Sequence, residues 1–228
     1  MPDQGTFAEY ICIPQSDVYA KPVHLSWEEA AAVPLGGLTS WRAVVTHAEV
    51  KAGQKFLITA AGSGVSTFAI QWALGHGAEV YVTSGSEEKI NKAKDMGASG
   101  GANYKEEGFT KKLKEMSGGF DAIIDSGGGD GINALLDTLA NGGRYVFFGA
   151  TLGNASAGLE MAKLFFRHIR IQGTMMGSPS EFAAMINFVG EKNIKPIVHE
   201  VFPMEKATAA HKLMESFSQM GKIVLRNE

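Results

Sequence analysis

Apolar positions recur in two rhythms along this chain. Short apolar runs bounded by glycine or polar residues alternate with longer segments whose apolar residues return every three or four positions. The first rhythm fits strands buried on both faces, the second amphipathic helices. Strands are expected at 55–60, 78–83, 120–125, 143–149 and 169–174. Helices are expected at 64–76, 86–96, 108–116, 130–140, 159–166, 179–191 and 204–218. Val65, Phe68, Ala69, Trp72 and Ala73 share one helical stripe, and Phe182, Met185, Ile186 and Val189 share another. Both stripes read as core. Upstream, 7–13 (FAEYICI) reads as a strand and 14–25 as a polar loop. Ser26 then opens a helix as its N-cap, with Glu28 and Glu29 in the first turn. Gly36-Gly37 is expected to interrupt that helix, and a second to run from about 38 to 46.

Short strands alternating with amphipathic helices imply an α/β fold: a Rossmann-type, doubly wound parallel sheet with helices on both faces. In such a sheet all strand C-termini lie along one edge, and ligands bind outside it. Four expected strands run into glycine-containing turns: ITAAGSG, VTSGS, IIDSGGG and VFFGATLG. Small residues there let a ligand approach the backbone. One such turn is ordinary turn chemistry; four at corresponding ends point to one long ligand.

The first turn reads as the phosphate site. Gly62, Ser63, Gly64 and Val65 bring backbone N–H groups to a helix N-terminus, where the dipole favours an anion. The motif departs from G-x-G-x-x-G at its end, where Ser66 replaces the glycine that serves close helix–strand packing. An NAD-type site places an acid about 20 residues after the turn, for the ribose 2′-OH. Here Ser84-Gly85-Ser86 stands at that strand end, with Lys89 beyond. Hydroxyls and a lysine suit a 2′-phosphate, so NADP is favoured over NAD. Ser86 is equally an N-cap with Glu87 and Glu88 in the first turn. Either acid reaching a 2′-OH would reverse the preference.

Composition narrows the function classes. The formal net charge of -3 leaves no basic field for nucleic acid. A single cysteine, Cys12, excludes a disulfide scaffold and suits a reducing compartment. No run is long and apolar enough to span a bilayer, and no signal pattern opens the chain; a cytoplasmic protein away from membranes is expected. The histidines at 24, 47, 76, 168, 199 and 211 show no ligand spacing with Cys12 or one another.

GTFAEY, EEAAAVPLGGLTSWRAV, KAGQKFLITAAGSGVSTFAIQWA, GGRYVFFGAT and the terminal GKIVL, in this order, resemble the medium-chain dehydrogenase/reductase superfamily. Within it they are most similar to the zinc-independent, quinone oxidoreductase-like branch. The resemblance implies a GroES-like catalytic domain represented only by remnants: 1–35 at its end and 196–228 as its returning tail, around a Rossmann domain at 36–195. It implies a hydride transfer between NADP(H) and a small carbonyl, enone or quinone. It implies that this chain, with most of the catalytic domain absent, binds cofactor without useful turnover.

By the same resemblance Thr39 lies near the nicotinamide, with Phe148, Gly149, Ala150 and the stretch of Met175 and Met176. Tyr104 lies near the adenosine 2′-phosphate, and Ser126 and Gly127 beside the adenine ribose. Leu35 stands where zinc-dependent relatives carry a cysteine ligand, so no zinc is expected. No residue presents itself as a general acid. Family members often pair the last sheet strand, here 167–173, across a two-fold axis, which implies a homodimer. The alternatives are a zinc-dependent alcohol dehydrogenase relative and a non-catalytic dinucleotide-binding module; a methyltransferase on the same plan would want an acid after the second strand.

Overall fold

A computed structural model describes residues 5–227. Ser26 caps α1 (Trp27–Ala32) in a reciprocal capping box with Glu29. Pro34 then starts α2 (Pro34–Trp41), which leads directly into one π-helical stretch at Arg42–His47. The break falls at Val33-Pro34, so Gly36-Gly37 does not interrupt the helix as expected. The two glycines lie inside α2 because its backbone packs closely. A Cβ on Gly36 would lie 3.2 Å from the Gly64 carbonyl oxygen, and one on Gly37 3.0 Å from Met185 Sδ. The 7–13 segment is also corrected: it takes no strand, because no strand among the described residues lies beside it to accept its ladder.

Six strands make one parallel sheet: β1 (Lys55–Ile58), β2 (Glu79–Ser84), β3 (Gly100–Asn103), β4 (Phe120–Asp125), β5 (Leu139–Phe147) and β6 (Arg170–Gly173). Their order is β3-β2-β1-β4-β5-β6. Alternate side chains of one strand enter opposite cores. Phe56, Ile58, Val80, Val82 and Ile124 pack with α2, α3 (Gly64–Gly75), α4 (Glu87–Asp95) and α8 (Pro179–Glu191). Leu57, Tyr81, Ile123 and Tyr145 pack with α5 (Phe109–Ser117), α6 (Ile132–Leu136) and α7 (Met161–Phe166). Burial on both faces is why these strands read as continuous apolar runs. Trp72 ties α3 to α2: its indole N–H donates to Ser40 Oγ at 2.8 Å.

Three differences from the expected pattern have local causes. β3 is made of Gly100-Gly101-Ala102-Asn103, which reads as loop. Glycine is needed there because a Cβ on Gly101 would come within 2.9 Å of the Val82 carbonyl oxygen. The helix expected at 130–140 is only Ile132–Leu136, and β5 starts early, at Leu139, paired with Phe120 before the register shifts. Gly142, at φ +78, belongs to that irregular stretch. The helix expected at 204–218 is a 3₁₀ turn at Met204–Lys206 and then α9 (Ala207–Glu215).

Two further strands escaped the periodicity. β7 (Val198–Pro203) and β8 (Lys222–Arg226) form a separate parallel pair joined through α9 and packed on α1. Gly221 makes this pairing possible: its φ is +89°, and a Cβ there would collide with the Ile197 carbonyl. Gly221→Ala is expected to lower unfolding free energy by more than about 2 kcal/mol, from steric collision and left-handed strain together. Urea unfolding checks this; a midpoint within error of the parent would contradict it.

Candidate functional site

The strand order reverses between β1 and β4, and the crevice outside their C-termini is where an open α/β sheet binds ligands. A cleft of about 820 Å³ opens along that edge on the β1–β2–β3 side. Gly62, Ser63, Gly64, Ser84, Gly85, Ser86, Lys89 and Tyr104 line it, so these expected site residues converge on one place. Lys105, Thr151, Leu152 and the 216–219 loop line it as well.

The turn after β1 is built for close approach. Ala60 opens it at φ +53°, a left-handed conformation unusual for alanine. Ser63 is the N-cap of α3: Val65 and Ser66 N–H donate to its hydroxyl at 3.2 and 3.3 Å. The N–H groups of Gly62 and Gly64 have no acceptor among the described residues. Ser66 is fully buried, and its Oγ donates to the Thr59 carbonyl at 2.8 Å. The serine in the third glycine's place thus bonds the helix to the end of β1 and keeps the packing tight.

Two lysines overhang this turn. A Cβ on Gly62 would meet Lys89 Cδ at 2.6 Å, and one on Gly64 would meet Lys222 Cδ at 2.6 Å. Lys89 Nζ donates to the Phe217 carbonyl at 2.6 Å. Burial lowers its pKa, partly offset by the Glu88 charge. Lys222 Nζ has no hydrogen bond or ion pair among the described residues, and burial pushes its pKa below the usual lysine value. The turn thus combines two N–H donors that have no acceptor among the described residues with the stem of a half-buried lysine. Sequence reasoning missed Lys222. GKIVL was visible as a block, but nothing local places its lysine against a turn far upstream.

At the end of β2, Ser86 caps α4 and accepts from Lys89 N–H at 3.4 Å; Ser84 Oγ accepts from Ser86 N–H at 3.3 Å. Glu88 lines the cleft, but its carboxylate accepts from Lys92 at 2.6 Å, which holds its pKa low.

The remaining expected residues lie in two other groups. Asp125, buried at the end of β4, accepts from Thr59 Oγ1 at 2.6 Å, Tyr145 OH at 2.6 Å and Gly128 N–H at 2.8 Å. Burial, with the Asp125 charge second, drives the Tyr145 pKa far upward, so its phenol stays a donor. This network fixes Ser126 and Gly127, whose carbonyls accept from Thr151 and Leu152 N–H at 3.2 and 2.8 Å. A Cβ on Gly149 would lie 2.9 Å from the Ser126 carbonyl oxygen, and Ala150 lies against Gly128. Phe148 packs on the core between them. Thr39 forms the third group: it is buried on α2, with Oγ1 3.7 Å from Met176 Sδ. Met175 is exposed beside it. Val65 lies in the first turn of α3, its N–H already taken by Ser63.

Leu35 is exposed near the start of α2, and among the described residues no three His, Cys, Asp or Glu side chains converge. No described helix is long and apolar enough to cross a membrane.

Comparison with known proteins gives a consistent picture. A model of the zinc-binding dehydrogenase family matches residues 64–191. A zinc-type alcohol dehydrogenase-like protein, YogA, of Leptosphaeria maculans is 34% identical, over 98% of this chain and 65% of that protein. A quinone oxidoreductase of Rattus norvegicus is 29% identical, over 97% of this chain and 69% of that protein. A crystal structure of an NAD-dependent alcohol dehydrogenase superposes with TM-score 0.91 at 39% identity, over 97% of this chain and 65% of that one. Nearly all of this chain is matched, and it spans about two thirds of the length of these relatives.

Asp125→Ala is expected to destabilise the fold by about 3 kcal/mol, since it leaves two buried hydroxyls and one N–H without an acceptor. Denaturant unfolding measures this directly; a loss under about 1 kcal/mol would mean the network is dispensable.

Proposed function

The chain belongs to the medium-chain dehydrogenase/reductase superfamily, and we propose that it forms the dinucleotide-binding part of an NADP(H)-dependent oxidoreductase acting on a small carbonyl, enone or quinone. The observation that carries this reading is the pair of N–H groups of Gly62 and Gly64, without an acceptor among the described residues, at the N-terminus of α3, with the stem of Lys222 lying against Gly64. A pyrophosphate there would supply the missing counter-charge. When bound, the dinucleotide supplies the hydride chemistry of its nicotinamide. The chain's own residues hold and orient it. The 62–65 turn and Lys222 take the pyrophosphate, Ser84, Gly85 and Ser86 the adenosine ribose, and Tyr104 its 2′ side. Lys89 overhangs the same turn. Ser126 and Gly127 flank the ribose, while Thr39, Phe148, Gly149 and Ala150 line the nicotinamide side.

The preference for NADP rests on the end of β2. It offers hydroxyls where a 2′-OH reader would be acidic, and Glu88 is engaged by Lys92. The similar solved structure is described as NAD-dependent, so titration of both cofactors is the deciding measurement. By this reading these residues bind the cofactor, and the substrate would sit between this unit and a catalytic domain. A homodimer through β6 belongs to the same proposal. β6 is the sheet edge, and α7 beside it exposes Met161, Phe165 and Phe166. A cytoplasmic location is consistent with the single free cysteine, Cys12.

NADPH is expected to bind at least about tenfold tighter than NADH, a difference of about 1.4 kcal/mol. Equal affinity by calorimetry would overturn the assignment. Lys222→Met, which keeps the aliphatic stem over Gly64, is expected to weaken both cofactors about tenfold without lowering the stability of the free protein, since it removes a desolvated charge. Unchanged affinity for both would remove Lys222 from the site. Light scattering at high concentration is expected to give twice the monomer mass; a monomer would rule out the β6 dimer.

A further inference from the structure

The segment that follows β5 runs from Ala150 to Glu160, and every residue in it is exposed except Ala155, which is half-buried. Apolar burial therefore does not place this loop; hydrogen bonds do. Its first part lies along the turn after β4. Leu152 N–H donates to the Gly127 carbonyl at 2.8 Å, and Gly129 N–H donates to the Gly153 carbonyl at 2.9 Å. Its second part is held by two side chains from the start of α6. Asp130 Oδ1 accepts from Ser156 N–H at 2.6 Å, Ala157 N–H at 3.2 Å and the Ser156 hydroxyl at 2.8 Å. These donors, the Ser156 hydroxyl first, hold the Asp130 carboxyl below the usual aspartate range. Asn133 Nδ2 donates to the Gly158 carbonyl at 2.9 Å. Among the described residues no other hydrogen bond reaches 154–158.

We propose that Asp130 is a positioning residue for the cofactor: by anchoring the far half of this loop it holds Leu152 at the rim of the cleft, where the leucine side chain packs on the bound dinucleotide. The proposal rests on the dinucleotide reading above. Leu152 lines the cleft and is still 76% exposed, so most of its apolar surface is open to a ligand. Its backing is a floor of glycines. A Cβ on Gly129 would lie 3.0 Å from Leu152 Cβ, and one on Gly127 3.4 Å from Leu152 Cδ1. Bare backbone grips a side chain weakly, so the position of Leu152 depends on the loop that carries it. Asp130 does not line the cleft itself and acts only through that loop. Without the carboxylate the loop samples other positions, and affinity falls with the fraction of molecules in which Leu152 is in place.

Calorimetric titration of NADPH and NADH against the full chain tests this. Asp130→Ala is expected to weaken both cofactors by the same factor, about fivefold. Asp130→Asn keeps a side-chain oxygen for both N–H donors and is expected to stay within about twofold of the parent. Leu152→Ala is expected to weaken binding as much as Asp130→Ala does, and adding Asp130→Ala to it is expected to change little further. Hydrogen exchange of the free protein is expected to quicken at 151–158 in Asp130→Ala, with the sheet unaffected. Both residues are exposed, and thermal midpoints matching the parent establish that each variant is folded. A parent that binds a dinucleotide overturns this proposal alone in any of three cases: Asp130→Ala binds like the parent, Asp130→Asn loses as much as Asp130→Ala, or the Asp130→Ala loss persists in full beside Leu152→Ala. A parent that binds neither cofactor overturns the dinucleotide reading and this proposal with it.

Discussion

The approach of backbone to backbone around Gly62 and Gly64 is the constraint on which the rest of this structure depends. α2 reaches Gly64 through Gly36, whose missing Cβ leaves room at the Gly64 carbonyl. β8 arrives from the other side: Gly221 N–H donates to the Gly62 carbonyl at 3.0 Å, and the Lys222 stem lies against Gly64. Three segments far apart in the chain therefore meet at one turn. Each contact needs a residue without a side chain, because van der Waals repulsion at these separations leaves no alternative. The helix N-terminus, the sheet edge and the two-stranded extension are oriented by that meeting.

The same closeness sets the electrostatics. Lys89 and Lys222 are brought over the turn by packing and lose water in the process, which lowers the pKa of both. Lys89 recovers an acceptor in the Phe217 carbonyl. Among the described residues Lys222 does not, and the N–H groups of Gly62 and Gly64 likewise have no acceptor. The opposite wall is a closed system: Asp125 joins β1, β4 and β5 through Thr59 and Tyr145, and its third bond holds the glycine-rich 126–129 turn. One side of the crevice is internally satisfied. The other keeps unspent positive charge, and that asymmetry is what an anionic ligand would read.

Much of the scaffold was legible in one dimension. α8 falls at the expected 179–191, and its Ser178–Glu181 capping box is a local signal. β4 falls at the expected 120–125. The failures share a cause, which is residues whose conformation is chosen by distant neighbours. Gly100-Gly101 is a strand because it pairs with β2, and Gly101 passes too close to Val82 and Ile90 for a side chain. Gly36-Gly37 lies in a helix that passes too close to Gly64 and Met185 for side chains. β7 and β8 pair across more than 20 residues and carry no alternation strong enough to announce it. The 7–13 segment has strand composition but no partner beside it.

The sequence by itself determined the sheet's strand–helix alternation, the buried stripes and the glycine turns at the strand ends. These follow from period, capping and conformational freedom, which act within a few residues. It also determined that serine and glycine, not an acid, stand at the end of β2. The tertiary structure alone decided which cations face which turn. Lys89, nominated by its closeness to Ser86 in the chain, is drawn to Phe217. Lys222, far from any glycine motif, stands over Gly64, and Lys105 stands over Gly85. A long flexible side chain reaches whatever the fold sets within its length, and separation along the chain carries almost no information about that distance.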